Sequence, residues 1–93
     1  MPEYVVDLSK VENEIRYKIP KAIVEKIKIW SLRIKLDGMH KTRMIKSYHD
    51  EPLKGDRYGQ RSIRLNRKYR LIYEEMGKEI IIVSVIEVNA HEY

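Results

Sequence analysis

The apolar run IIIVSVIEV at positions 80–88 constrains the fold of this chain more than any other stretch. A strand with one buried and one solvated face carries apolar residues at every second position, whereas this run is apolar at both parities. That pattern is typical of a strand that has neighbours on both edges and cover on both faces. We therefore predict a central strand over residues 79–88.

Two further strands are predicted immediately before it. Residues 60–66 and 69–75 alternate with a period of two, and polar turn residues separate them at positions 66–68. A second turn is predicted at residues 75–78, where Gly77 is free to adopt a positive φ. Because both connections are short, the three strands should form an antiparallel meander.

The first 38 residues predict a strand followed by two helices. Residues 4–8 read as a short strand, and Ser9 with Glu12 matches the capping box that opens a helix. Pro20 suits the first turn of a second helix, and Gly38 suits its end. The expected class is α+β: an N-terminal strand and a helical hairpin packed on a small twisted antiparallel sheet.

The second helix carries two apolar stripes. One stripe, at helical spacing, is expected to pack on the sheet and consists of Ile23, Ile27, Trp30 and Ile34. The other is offset and consists of Ile29, Leu32 and Leu36. We expect the shorter helix to cover the second stripe; if exposed, that stripe would be a groove or partner-binding face.

Length and composition limit the class of protein. A chain of 93 residues with 43% hydrophobic residues suits a single domain, residues 1–93. It has no cysteine and no apolar run near the roughly 20 residues of a membrane helix, so we expect a soluble cytoplasmic protein. The formal net charge of +5 predicts an anionic partner, nucleic acid first.

The positive charge is concentrated in one stretch of the predicted sheet. From Lys54 to Arg70 there is one anion, Asp56, and there are seven cations: Lys54, Arg57, Arg61, Arg64, Arg67, Lys68 and Arg70. Arg64 and Arg70 lie in mid-strand and are predicted to share one concave face, where fixed guanidinium groups suit phosphate recognition. The alternative is a solvated face whose cations pair with carboxylates such as Glu74 and Glu79.

Candidate acid and base groups flank the basic stretch. Glu51 precedes it in a predicted loop, and a carboxylate among arginines is able to accept a proton from a hydroxyl group. His49 and His91 lie near predicted strand ends, and the chain ends on His91-Glu92-Tyr93. Without cysteine or histidines at i, i+4 spacing, no metal site and no cofactor is predicted.

These segments, in this order, resemble the RelE/HigB branch of bacterial toxin–antitoxin toxins, within the RelE/ParE superfamily. The resemblance covers nearly the whole chain and is carried by YHDEPLKG at 48–55, QRSIRLN at 60–66, YRLIY at 69–73 and EVNAHEY at 87–93. It implies a small basic ribonuclease that cleaves mRNA, often on the ribosome, and inhibits translation. It also implies a cognate antitoxin with a helix-turn-helix part, and hence a toxin–antitoxin hetero-oligomer.

The resemblance assigns roles to individual residues. Glu51 corresponds to the general base of some members, Lys54 to a supporting cation and Arg70 to the phosphate-contacting arginine. His91 and Tyr93 resemble the His/Tyr pair that ends several members. The candidate RNA-binding cations are Arg57, Arg61, Arg64, Arg67 and Lys68.

Several alternatives stay open at this point. The acid that protonates the leaving oxygen is His91, His49 or Tyr93, and Tyr93 or Tyr58 is also suited to stack on a base. The related ParE branch inhibits DNA gyrase without nuclease activity, and a non-catalytic RNA-binding or ribosome-binding module would share the same charge.

Overall fold

The structure, a computed structural model that describes residues 2–90, contains a five-stranded sheet with one long helix packed on it. The strands and helices are β1 (Glu3–Asp7), α1 (Lys21–Asp37), α2 (Met39–Arg43), β2 (Glu51–Pro52), β3 (Arg61–Arg64), β4 (Tyr69–Met76) and β5 (Ile80–Ala90). The strand order is β1-β5-β4-β3-β2. The predicted α+β class is confirmed, and the prediction of a wholly antiparallel sheet needs one refinement, because β1 pairs with β5 in parallel.

The meander of β3, β4 and β5 is confirmed. Its first turn is closed by the Asn66 side chain, whose Oδ1 accepts the backbone N–H groups of Lys68 and Tyr69 at 2.8 and 2.7 Å. An asparagine that bonds to its own downstream backbone fixes a tight turn. This turn therefore sets the pairing of β3 with β4, in which Arg64 lies opposite Arg70.

Strand β5 has neighbours on both edges, as predicted, but cover on only one face along its first half. Val83 and Val85 face the helix and are fully buried. On the opposite face Ile80 is 56% exposed, and Ile82 is also exposed beside its sheet neighbours Val5 and Met76. The prediction of cover on both faces is wrong there, because α1 packs against the other face and no helix among residues 2–90 covers this row.

Helix α1 buries the predicted stripe. All four of its members are buried, and the Trp30 ring lies 5.3 Å from the ring of Tyr73 on β4. The helix ends at Asp37, where Gly38 adopts a φ of 87° and donates its N–H to the Ile34 carbonyl. Between residues 2 and 90, the helices lack the length and apolar content that a bilayer crossing requires.

The first arm of the predicted hairpin is irregular. It consists of a 3₁₀ turn, Ser9–Val11, and a π-helical turn, Glu14–Lys18. The capping box does not form: the Ser9 N–H donates to Asp7 and the Glu12 carboxylate pairs with Arg16. Since these turns do not cover the second stripe of α1, its members are exposed, and the prediction that they pack is wrong: Ile29, Leu32 and Leu36.

Gly59 and Gly77 both adopt a positive φ, but an added Cβ would meet a close backbone atom only at Gly77. A Cβ on Gly77 (φ 105°) would lie 2.2 Å from the Ile80 carbonyl oxygen, whereas a Cβ on Gly59 (φ 95°) has nothing within 4 Å. We expect Gly77→Ala to lower the free energy of unfolding by about 3 kcal/mol and Gly59→Ala by about 1 kcal/mol. Urea denaturation of both variants measures this, and equal losses would contradict the contact at Ile80.

Candidate active site

Three of the candidate residues, Glu51, Arg64 and Arg70, lie on the open face of the sheet, opposite α1. Glu51 was expected in a loop but lies in the two-residue strand β2, where it pairs with Ser62 of β3. Arg64 pairs directly with Arg70 across β3 and β4, so the prediction that they share one face is confirmed. Paired residues and their diagonal neighbours project to the same side. Glu51, Arg64 and Arg70 therefore line one surface.

Glu51 lies between a guanidinium group and an imidazole. Its Oε1 is 3.6 Å from Arg70 Nη2, and its Oε2 is 3.9 Å from His49 Nε2. His49 adopts a left-handed φ of 48°. The Glu51 carboxylate remains partly exposed while the Arg70 side chain is mostly buried, so the guanidinium is held close to an accessible carboxylate. Arg70 Nε has no partner among residues 2–90.

A second ion pair lies on this surface, at its β5 side. Arg57, from the 3₁₀ turn Gly55–Arg57, bonds to Glu87 of β5, and Asn89 donates to the same carboxylate at 2.8 Å. Glu87 lies opposite Ile72 of β4, in the row of side chains that begins at Glu51. Arg57 is therefore part of this surface, and its positive charge is paired with the Glu87 carboxylate.

The cations of the basic stretch divide into paired and unpaired groups. Arg57, Arg61 and Arg70 pair with Glu87, Asp50 and Glu51, and not with Glu74 and Glu79, which the sequence suggested as partners. Four cations make no ion pair within residues 2–90: Lys54, Arg64, Arg67 and Lys68. All four are exposed.

Arg61 lies on the opposite side of β3 from Arg64. Its Nε donates to Asp50 at 2.6 Å, and the second carboxylate oxygen of Asp50 accepts the Tyr73 hydroxyl at 2.5 Å. Arg43 Nε in turn donates to the Tyr73 hydroxyl oxygen at 3.3 Å. Arg61 therefore contacts a buried carboxylate on the side of β3 that does not carry Arg64.

Sequence reasoning missed Asp50 and the role of its partner Tyr73. Asp50 stands between His49 and Glu51, and a lone aspartate in a predicted loop carries no signal of burial. The alternation of side chains was the usable signal, because it places Asp50 on the core side when Glu51 faces solvent. Burial and the hydrogen bond to Asp50 raise the pKa of Tyr73 well above its ordinary value, so its phenol stays protonated.

Two of the predicted site residues, His91 and Tyr93, lie outside the described residues. Ala90, at the end of β5, pairs with Tyr69, the neighbour of Arg70. Among residues 2–90, no three histidine, aspartate or glutamate side chains cluster in the manner of a metal site. The described arrangement is a carboxylate able to accept a proton, an adjacent imidazole, and cations able to hold a phosphate.

Several solved toxin structures match this fold over almost its whole length. The YoeB/ParE toxin from Agrobacterium tumefaciens matches with a TM-score of 0.68 and 26% identity, over 97% of this chain and 99% of that one. The toxin–antitoxin complex RelBE2 from Mycobacterium tuberculosis matches with a TM-score of 0.65 and 16% identity, over 98% and 100%. The YoeB-YefM complex from Staphylococcus aureus matches with a TM-score of 0.62 and 21% identity, over 99% of each.

The chain shares its fold with toxins of the RelE/ParE superfamily. The resemblance drawn from its sequence motifs is confirmed at that level. A scan of protein-family models and a search of curated protein sequences gave no match. The motif segments at 48–55, 60–66 and 69–73 contribute the neighbouring strands β2, β3 and β4 of the sheet.

The raised pKa of Tyr73 predicts a loss of stability in alkali. A group whose pKa is higher in the folded state stabilises the fold fully below its unfolded pKa, about 10 for tyrosine, and less as the pH rises further. We expect the wild type to lose stability above about pH 10 more steeply than Tyr73→Phe, by at most about 1.4 kcal/mol per pH unit.

Urea denaturation from about pH 8 to about pH 11 measures this difference. Tyr58→Phe, which alters an exposed ring, is the matched control and should follow the wild type. Parallel losses of stability in the wild type and Tyr73→Phe would contradict the assignment.

Proposed function

We propose that residues 1–93 form a single toxin domain of a type II toxin–antitoxin system. The domain cleaves mRNA as a metal-independent endoribonuclease and so inhibits translation. One observation carries the proposal: Glu51 lies 3.6 Å from Arg70 and 3.9 Å from His49, on the face that also carries Arg64. A proton acceptor beside fixed cations is what attack of a ribose hydroxyl on a phosphate requires.

The proposed reaction begins at the ribose 2′-hydroxyl. Glu51 takes the hydroxyl proton as the 2′-oxygen attacks the adjacent phosphorus. A new P–O2′ bond forms, the P–O5′ bond breaks, and the products are a 2′,3′-cyclic phosphate and a 5′-hydroxyl. The leaving 5′-oxygen receives a proton from a general acid. Each acid or base group of this kind typically contributes about 10²–10⁴-fold to the rate.

The cations are proposed to stabilise the negative charge that grows on the phosphoryl oxygens. Arg70 is mostly buried and held by its strand, so its guanidinium is preorganised for that role. Arg64 faces the same surface and is exposed, and Lys54 follows β2 closely in the chain. Arg67 and Lys68, in the turn, suit contacts with phosphates further along the RNA.

The general acid has three candidates in this proposal. His49 is supported by its distance to Glu51, which brings an imidazole to the reacting surface. His91 and Tyr93 are supported by the resemblance to the His/Tyr pair that ends several RelE/HigB toxins. Imidazole is among the side chains most often used as a general acid or base.

Cleavage of a defined mRNA by the purified chain tests the base. We expect Glu51→Gln to lower kcat by about 10²–10⁴-fold, because the amide cannot accept the hydroxyl proton. Glu25→Gln, an exposed carboxylate on α1, is the control and should retain full activity. Repeating the cleavage assay with EDTA tests whether the reaction needs a metal ion. Repeating it with and without ribosomes tests whether cleavage depends on the ribosome. Undiminished cleavage by Glu51→Gln would reject the proposed base.

Three single histidine variants identify the acid in the same assay. His49→Gln or His91→Gln should lose about 10²-fold or more in kcat if that imidazole is the acid. His40→Gln changes an exposed histidine on α2 and serves as the control. If both site variants retain wild-type rates, Tyr93→Phe is the remaining test. Intact RNA with loss of gyrase supercoiling would support the ParE-like alternative instead.

An antitoxin partner is part of the proposal. Structures titled as toxin–antitoxin complexes share this fold. We propose that the antitoxin covers the exposed stripe of α1, which borders a groove of about 490 Å³ between α1 and β1. The groove is mainly apolar and includes Leu32 together with Lys28 and Lys35. Apolar surface with lysines at its edge fits an amphipathic acidic segment.

Substitution in this groove should weaken the partner without unfolding the toxin. Leu32→Asp places a carboxylate in apolar surface that the antitoxin would bury, so we expect at least about a tenfold rise in the dissociation constant. Met44→Asp alters an exposed apolar side chain that does not line the groove, and should leave binding unchanged. Calorimetry with the purified antitoxin measures both. Equal affinities would exclude the groove as the docking surface.

A further inference from the structure

Asp50 is a buried carboxylate that the proposed mechanism does not use. Its side chain is 2% exposed, although it lies between exposed His49 and partly exposed Glu51 of the candidate site. A buried carboxylate is costly unless every acceptor is used. We propose that Asp50 is a positioning residue, which fixes the backbone so that the Glu51 carboxylate stays beside Arg70. This inference rests on the proposed ribonuclease function.

Both oxygens of Asp50 are occupied by donors from different strands. Oδ1 accepts from Arg61 Nε on β3 at 2.6 Å, and Oδ2 accepts the hydroxyl of Tyr73 on β4 at 2.5 Å. The hydroxyl oxygen of Tyr73 accepts from Arg43 Nε at 3.3 Å, and the Tyr73 ring packs on Trp30 in the core. Asp50 is thereby connected to the buried core through Tyr73 and Trp30.

The backbone near Glu51 needs such a contact because its own strand is short. Strand β2 has two residues and lies at the edge of the sheet. After the two paired residues of β2, the backbone makes one further hydrogen bond to this part of the chain, from the Leu53 N–H to the Gln60 carbonyl at 2.9 Å. Two-residue pairing at an edge is weak, and local opening of such segments costs little free energy.

Alternation along the chain explains how a buried contact controls an exposed side chain. Asp50 points to the core side and Glu51 to the open side, so fixing the first fixes the direction of the second. The left-handed φ of 48° at His49 is the bend by which the chain enters this segment. The acid–base residues His49 and Glu51 therefore flank the residue that is held.

The contact requires a carboxylate and not merely a polar side chain. Asp50 presents two acceptors to two donors, whereas an asparagine presents one acceptor and one NH₂ group. In Asp50→Asn either the Arg61 Nε–H or the Tyr73 hydroxyl faces a donor and loses its partner. The shape of the side chain is kept, so any loss of function follows from the loss of one acceptor and of the negative charge that pairs with Arg61.

The deciding experiment combines RNA cleavage with amide hydrogen exchange on the full chain. For Asp50→Asn we expect kcat to fall about 10–100-fold while KM changes less than about threefold, because the phosphate-binding cations are unchanged. Exchange of the Leu53 amide should become about tenfold faster, with core amides such as that of Val83 unaffected. Asp56→Asn, an exposed aspartate nearby, is the matched control and should resemble the wild type.

The outcomes separate positioning from general stability. Equal acceleration of exchange at Leu53 and Val83, or a kcat that recovers when corrected for the folded fraction, would overturn the inference. If the wild type does not cleave RNA, the proposed function fails independently. The exchange of Leu53 in Asp50→Asn then still decides whether Asp50 holds this segment: faster exchange supports that hold, and unchanged exchange rejects it.

Discussion

The pairing of β3 with β4 determines which side chains reach the solvent and which enter the core. The Asn66 turn closes this pair and places Arg64 opposite Arg70, with Ile63 opposite Leu71 on the other face. Because the side-chain period of a strand is two, a slip of one residue would exchange these faces. The apolar pair Ile63 and Leu71 would then enter water, and the guanidinium groups of Arg64 and Arg70 would enter the core. The cost of burying those charges favours the observed register.

A single long helix against a five-stranded sheet leaves the opposite face available for chemistry. Helix α1 buries the Trp30 stripe against one side of the sheet, and the other side carries the candidate active site at one end. This arrangement also leaves apolar side chains exposed, on α1 at Leu32 and on β5 at Ile82. In a small domain such surface is expected where a partner binds. The uncovered stripe of α1 is therefore consistent with a chain that functions bound to another protein.

Sequence periodicity predicted the elements whose determinants are local. The spacing of the Trp30 stripe, the turn at Asn66 and the positive φ of Gly77 depend on neighbouring residues, and each was found as predicted. The parallel pairing of β1 with β5 and the two-residue strand β2 depend on residues far apart in the chain, and no local pattern encodes them. The irregular turns after β1 show tertiary packing overriding a capping signal at Ser9. Glu51 was expected in a loop because its pairing with Ser62 of β3 is likewise not encoded by a local pattern.

Neighbouring arginines in this chain have different physical roles, and composition alone cannot separate them. Arg61 and Arg64 are three residues apart on one strand, yet the first donates to buried Asp50 and the second is exposed on the open face. The positive charge available to an RNA is therefore smaller than the basic stretch suggests, since Arg57 and Arg61 are already neutralised by carboxylates. Counterion release counts only cations that contact phosphates. In the proposed complex with RNA, the salt dependence of binding should accordingly reflect the unpaired cations and Arg70, whose partner Glu51 lies on the same open surface.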